Sequence, residues 1–187
     1  NDIAFTSSGG NSYTLDNVAL HEGVPGCVAA DALAMDGWAK RSAIDIWRQH
    51  DDATYTKDGS FYSLKGTSST DGYQVLWPVS GSNSVEHIAK FNGRTVTFGA
   101  WVYSTLTTPE VRLNILADGA THFSTQTVSQ NTWTWLEVTH SVTTSNTQVY
   151  FSIEKSSTTA ETYYISQPMV VFGSAIGSGN YSRPSGE

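Results

Sequence analysis

The sequence predicts an all-β fold, namely an antiparallel two-sheet β-sandwich of the jelly-roll kind. The first observation behind this prediction is that segments of alternating apolar and polar residues recur along the chain, because a strand with one buried face has a period of two. The second is that clusters of Gly, Asn, Asp, Ser and Thr, which favour turns, separate these segments. Many short strands joined by turns are typical of sandwiches.

Four predicted strands lie in the first two thirds of the chain. Segment 60–67 alternates after the turn sequence KDGS, and segment 73–77 ends at Pro78. Segment 95–104 follows the turn sequence NGR and has four apolar residues on one face: Val96, Phe98, Ala100 and Val102. Segment 110–118 likewise places Val111, Leu113 and Ile115 together. A helical turn is expected only within 30–40, where Gly37 would end it.

Four more predicted strands complete the set. Segment 122–128 alternates weakly, whereas 134–142 places Leu136 and Val138 on one side. Segment 148–154 has Val149, Phe151 and Ile153 facing inward, and 162–172 closes the fold. Together these strands predict one sandwich domain over residues 30–187. Residues 1–29 are predicted to be an N-terminal strand and linker. Segment 12–23 resembles segment 162–173 in layout, so this strand could be the remnant of a preceding module, and the alternative is that the two strands are unrelated.

Composition argues against several partners. The net charge is −7 with ten basic and seventeen acidic residues, which disfavours nucleic acid and anionic membrane surfaces. The sequence has no apolar run long enough for a transmembrane helix, so no membrane insertion is expected. Cys27 is the single cysteine, which excludes an intrachain disulfide and a thiolate zinc cluster.

The residues that alternate with the core set suggest a recognition surface. Sugars present apolar C–H faces and polar edges, so a site for them needs exposed aromatic rings flanked by hydrogen-bonding groups. The outward parity of the central strands supplies such groups, and we expect them on one outer sheet face: Trp101, Tyr103, Arg112, Asn114, Trp135, Glu137 and Tyr150. The alternative is that a loop, the N-terminal segment or a neighbouring subunit covers this face.

A second candidate group lies in the predicted loop around residues 47–52. This group could line a sugar groove together with Trp77, and the alternative is a solvated turn; its members are Trp47, Arg48, His50, Asp51 and Asp52. Catalysis is not expected, because no catalytic motif is present. Glu137 and Glu154 could face the same side of a sheet, but such carboxylate pairs are common by chance among seventeen acids. No metal-ligand spacing is found among the His residues.

A family resemblance joins these observations. The segments DIWRQHDD, KDGSFYSLKGTSS, FNGRTVTFGAWVYS, TWTWLEVTHSV and YYISQPMVVFGSAIGSGNYSRPSGE follow one another in this order. From residue 30 to 187 the chain resembles the carbohydrate-binding-like jelly-roll module at the C-terminal end of bacteriophage tail fibres and tailspikes. The resemblance implies a non-catalytic receptor-binding module on the virion tail, outside the cell. It also implies a homotrimer that binds host cell-surface polysaccharide or lipopolysaccharide.

Two other functions remain open at this point. The domain could be a structural cap that ends and trimerises a fibre without a ligand. It could also be a carbohydrate-binding module of a secreted polysaccharide-degrading enzyme, because GSFYSLK and a Trp that opens a late strand are shared with such modules. Modules of that kind often bind a structural calcium through an acidic residue in the closing strand. Here that strand carries Ser166 and Gln167 instead, so no cofactor is expected.

Overall fold

The computed structural model describes residues 38–41, 43–58, 60–78 and 81–181. These residues form ten strands, one short helix and a 3₁₀ turn at Ala53–Tyr55. The strands are β1 (Ala39–Lys40), β2 (Asp45–Gln49), β3 (Ser63–Ser68), β4 (Gly72–Trp77), β5 (Thr95–Ser104), β6 (Val111–Ala117), β7 (Ala120–Phe123), β8 (Thr134–Ser141), β9 (Tyr150–Lys155) and β10 (Glu161–Phe172), and the helix α1 is Val85–Ala89. The predicted N-terminal unit, 1–29, lies outside the described residues.

The strands form two five-stranded antiparallel sheets. The first sheet has the order β1-β4-β9-β6-β7, and the second sheet has the order β2-β3-β10-β5-β8. The prediction of an all-β, two-sheet antiparallel sandwich is therefore confirmed. Among the described helices, none is long and apolar enough to cross a bilayer.

The core lies between the two sheets and is built by the alternation seen in the sequence. On β5, Val96, Phe98, Ala100 and Val102 have no exposed surface. They face the fully buried apolar residues of the first sheet, such as those at 113, 115, 151 and 153. Burying one such large side chain stabilises the fold by roughly 1.5–3 kcal/mol, so this parity determines which side of each strand faces inward.

Seven of the eight predicted strands are present, the eighth overlaps β7 at residues 122–123 only, and four described elements were missed: β1, β2, α1 and the 3₁₀ turn. Most of the segment 122–128 is not a strand, because β7 begins at Ala120 and ends at Phe123. The helix α1 is a single turn that begins after the capping residue Ser84, whose hydroxyl accepts a hydrogen bond from the His87 backbone amide. Strand β1 lies at the end of segment 30–40, where a helical turn was expected, but residues 30–37 of that segment lie outside the described residues. Strand β2 lies where a loop was expected. With two and five residues, these strands place too few residues on each face to produce a clear alternation in the sequence.

Candidate functional site

The structure divides the predicted outer face between two sheets. Strands β6 and β9 pair in the first sheet, whereas β5 and β8 pair in the second sheet. The outward residues of these two pairs therefore point away from each other on opposite sides of the sandwich. The expectation of one outer face is wrong, because side-chain parity gives inward or outward but does not say which sheet a strand joins. Glu137 and Glu154 are likewise on opposite sides and cannot form a carboxylate pair.

On the second sheet, the outward aromatic residues are covered by the segment between β2 and β3. Tyr103 is only 6% exposed, and its ring contacts Tyr55 edge-on with centroids 5.5 Å apart. Tyr55 also stacks on Tyr164 of β10 at 4.2 Å with an angle of 6° between the rings. Trp133 donates its indole N–H to the Thr54 carbonyl at 3.2 Å, which attaches the same segment just before the start of β8.

The remaining predicted aromatic residues of this face are also packed. Trp101 and Trp135 meet edge-to-face with centroids 5.6 Å apart, and both are partly buried. The Lys57 ammonium lies 4.6 Å from the centre of the Trp101 ring. A Cβ atom at Gly99 would lie 2.5 Å from Trp135 Cζ2, so the indole rests directly on the sheet backbone. These contacts correspond to the alternative in which a loop covers the face.

Hydrogen bonds to Glu137 hold the C-terminal segment 173–181 against this side of the second sheet. Its Oε2 atom accepts hydrogen bonds from Trp135 Nε1 at 3.0 Å, from the Gly177 amide at 2.9 Å and from the Ile176 amide at 3.4 Å. Burial by itself raises the pKa of Glu137, but these hydrogen bonds outweigh burial and hold its pKa below the ordinary value. Glu137 is thus a fold-stabilising carboxylate.

The group around Trp47 lies on an edge strand, where the sequence predicted a loop. Trp47 belongs to β2, with the Lys65 ammonium 5.6 Å from its ring centre. His50 is exposed, and Asp51 Oδ1 accepts a hydrogen bond from the side-chain Nε2 of Gln49 at 2.6 Å. Trp77 belongs to the first sheet and packs on Phe151 in the core, so the predicted grouping with Trp77 is wrong.

The closing strand does not fit a structural calcium site. At the bulge in β10, Gln167 has a φ of 54° and donates from Nε2 to the Asp58 carbonyl at 2.9 Å and to Ser60 Oγ at 3.1 Å. The Ser166 hydroxyl donates to Ser60 Oγ at 3.0 Å. The Gln167 N–H group therefore donates to the oxygen atoms of Asp58 and Ser60, which a bound cation would need as ligands. Within the described ranges, no three His, Cys, Asp or Glu residues are grouped to hold a metal ion.

The outward side of the first sheet has a different character. We call it the first-sheet face, and it comprises Arg41, Tyr73, Arg112, Asn114, Phe123, Tyr150, Ser152 and Glu154. The register aligns these residues in rows across the strands: Tyr73 pairs with Glu154, and Glu154 pairs with Arg112. In the neighbouring row, Ser152 pairs with Asn114, which pairs with Phe123.

A hydrogen-bond network occupies the centre of the first-sheet face. Glu154 Oε1 accepts from Arg112 Nη2 at 2.5 Å, and Glu154 Oε2 accepts from Asn114 Nδ2 at 2.7 Å. Ser152 Oγ in turn donates to Asn114 Oδ1 at 2.7 Å. Asn114 is 1% exposed, whereas the side chains of Arg112 and Glu154 remain 33% and 14% exposed. The network therefore holds polar groups in a fixed geometry at the surface.

Aromatic rings lie at both ends of this network. Tyr73 is 40% exposed, and Phe123 is 36% exposed with the Arg112 guanidinium 3.7 Å from its ring centre. Because β4 and β7 are three strands apart in order, the two rings are separated across the strands by roughly 14 Å at about 4.8 Å per strand, and they lie in neighbouring rows. Burial raises the pKa of Tyr150, and Glu154 and Tyr73 raise it further, so its phenol stays neutral and able to donate.

The sequence identified Arg112, Asn114 and Tyr150 but missed both aromatic ends and Arg41. Tyr73 has the same parity as the core residue Val75, so alternation would place it inside. A bulge between Tyr73 and Val75 reverses its direction in the structure. Phe123 was missed because its segment alternates only weakly. Neither the bulge beside Tyr73 nor the outward position of Phe123 can be recognised from the neighbouring residues in the sequence.

Comparisons with solved structures show the fold that this chain shares. A xylan-binding domain of CBM 22, formally x6b, is similar with a TM-score of 0.54 and 13% identity, covering 81% of this chain and 96% of that chain. A family 16 carbohydrate-binding module is similar with a TM-score of 0.51 and 15% identity, covering 77% and 97%. No protein-family model matches the chain, and no curated protein sequence matches it significantly.

A longer protein is also similar over one of its parts. The CBM22-1-GH10 modules of the Clostridium thermocellum endo-1,4-beta-D-xylanase 10B, complexed with xylohexaose, match with a TM-score of 0.54 and 13% identity. The match covers 74% of this chain but only 26% of that chain. At identities this low, the structural similarity shows only that the chain shares the fold of carbohydrate-binding modules. The resemblance to phage tail-fibre modules stays a prediction.

Proposed function

We propose that this chain is a non-catalytic glycan-binding module whose ligand lies across the first-sheet face. The observation that carries the proposal is the pair of exposed aromatic rings on opposite sides of the face, with a fixed polar network between them. Such an arrangement matches the alternation of apolar faces and hydroxyl edges along a saccharide chain. The fold shared with a xylan-binding domain and other carbohydrate-binding modules supports the same conclusion.

The chemistry of binding follows from the positions of these groups. Tyr73 offers a ring for the C–H face of one sugar, and stacking there removes apolar area worth roughly 1–2 kcal/mol from water. Glu154 and the Tyr150 hydroxyl provide hydrogen bonds to sugar hydroxyl groups in the centre, whereas the fully buried Ser152 holds Asn114 in place beneath them. Because the network already fixes Glu154, little side-chain entropy is lost on binding.

The setting of the module is part of the proposal. We place it in a phage tail fibre or tailspike, as a homotrimer that binds host polysaccharide or lipopolysaccharide, on the basis of the motifs GRTVTFGAWV and ISQPMVVFGSAIGSGNY. A trimer would compensate for weak single sites through multivalency. The second candidate is a module attached to a polysaccharide-degrading enzyme, which the similarity to a CBM22-1-GH10 structure favours.

The test replaces Tyr73 by Ala and measures affinity for immobilised polysaccharides. We expect Tyr73→Ala to weaken binding about five- to thirty-fold, which corresponds to the stacking energy of one ring. The matched control is Tyr62→Ala, because Tyr62 is 43% exposed and has the Arg48 guanidinium 5.1 Å from its ring, but adjoins the second sheet. Unchanged affinity in folded Tyr73→Ala protein, or equal loss in the control, would contradict the assignment.

A further inference from the structure

We propose that the first-sheet face prefers acidic glycans, meaning polysaccharides whose sugars carry carboxylate groups, and that Arg41 binds the carboxylate. This inference rests on the proposed function, because it names the ligand class of the same surface. It starts from the charges of the face, which carries Arg41 and Arg112 but a single carboxylate, Glu154.

The charge of Glu154 is neutralised within the face. Arg112 donates to one of its oxygen atoms and Asn114 to the other, so both carboxylate oxygens already have a partner. This ion pair therefore adds no net charge to the surface. Its main contribution is to hold the central groups in position.

Arg41 is the unbalanced charge. Its guanidinium donates to the backbone carbonyl of Asp71 and lies 5.9 Å from the centre of the Tyr73 ring. The ion pairs seen between described residues include those of Lys57, Arg112 and His140, and none of these involves Arg41. Among the described residues, no carboxylate forms an ion pair with this cation, not even that of its neighbour Asp71, although the net charge of the protein is −7.

The position of Arg41 explains which ligands it would favour. A sugar stacked on Tyr73 would bring its substituents within reach of the guanidinium, which recognises a planar carboxylate through paired N–H donors. A neutral sugar would use only the ring and leave the cation to solvent. Since the protein as a whole is negatively charged and repels polyanions, a preference for acidic glycans has to come from this local contact. At physiological ionic strength, salt screens the attraction between the guanidinium and a carboxylate with a Debye length of about 8 Å.

The experiment compares each acidic polysaccharide with its own neutral form. Glucuronoxylan, alginate and hyaluronan are used before and after carbodiimide-mediated reduction of their carboxylates to alcohols, and affinity is measured by gel electrophoresis and calorimetry. For the glycan that binds, we expect the carboxylate form to bind about five-fold more tightly at low salt, the gain of an exposed ion pair of about 1 kcal/mol. The preference should fall towards one as salt rises.

Variants assign the preference to one side chain. Arg41→Gln should bring the ratio of the two affinities close to one, and Arg41→Lys should restore part of it. Arg94→Gln is the matched control, because Arg94 also lies over an aromatic ring, 4.7 Å from the centre of Phe172, and its loss changes the net charge equally. The control should keep the wild-type ratio, and thermal melts confirm that each variant is folded.

The outcomes separate this inference from the proposed function. Equal binding of the carboxylate and reduced forms by the wild-type protein would overturn the acidic preference while supporting glycan binding itself. An unchanged ratio in Arg41→Gln would overturn the role of Arg41. Failure to bind either form of any of the three polysaccharides, and of neutral xylan, would overturn both proposals.

Discussion

Replacing Glu137 by Gln tests whether the second sheet carries a binding face or a covered, structural one. In the structure, Glu137 Oε2 accepts two short N–H hydrogen bonds, from Trp135 and Gly177, and a longer one from Ile176. A hydrogen bond to a charged group contributes about 1.5–3 kcal/mol, and a neutral one about 0.5–1.5 kcal/mol. Gln keeps an oxygen acceptor but loses the charge, so each short bond should weaken by about 1 kcal/mol.

Partial exposure of Glu137 reduces this sum through screening, and we expect a total loss of about 1–2 kcal/mol in the free energy of unfolding. For a chain of this length the melting temperature should fall by about 2–8 °C. Urea and thermal unfolding at pH 7 measure both quantities. The control is Glu86→Gln, because Glu86 is exposed in the first turn of α1.

The same variant predicts a dependence on pH. Because the pKa of Glu137 is lower in the folded protein than its ordinary value of 4.5, its contribution to stability is present above that value and is lost as pH falls through the folded-state pKa. The stability difference between wild type and Glu137→Gln should therefore shrink as the pH falls from about 5 towards about 2. A folded variant with unchanged stability that no longer binds glycan would refute the reasoning and return Glu137 to the binding site.

Two further predictions concern stability. Gln167→Ala removes the two hydrogen bonds that join the closing strand to Asp58 and Ser60, so the free energy of unfolding should drop by about 1–3 kcal/mol, and calcium or a chelator should leave the wild-type melting temperature unchanged. A chelator that destabilises the wild type would reveal a bound cation. Burial and the stacked His140 ring, 3.6 Å away, lower the pKa of His122 below 6.5, so wild-type stability should decline as pH falls below that value. In His122→Phe the urea midpoint should depend less on pH, and an equal dependence in both proteins would contradict this assignment.

The first-sheet face shows how much of a site a sequence can predict. Arg112, Asn114 and Tyr150 were recognised as outward residues because alternation within one strand is a local property. Their ring partners were not, because a bulge at Gln74 turns Tyr73 outward and only pairing with β9 fixes that bulge. The charge balance at Arg41 also required the fold, since its neighbours come from another strand.

The sequence by itself determined the fold class, seven of the ten described strands and the inward face of β5, β6, β8 and β9. These features depend on a period of two and on turn residues, which act within a few positions of the chain. Only the tertiary structure decided that Arg112 and Trp101 lie on opposite sides of the sandwich, because strand partners are chosen by contacts between distant segments. It also decided that Tyr103 is buried beneath Tyr55 while Tyr73 is exposed. Outward parity predicts only that a side chain points away from the core. Packing against distant segments of the chain decides whether that side chain is exposed to solvent or covered.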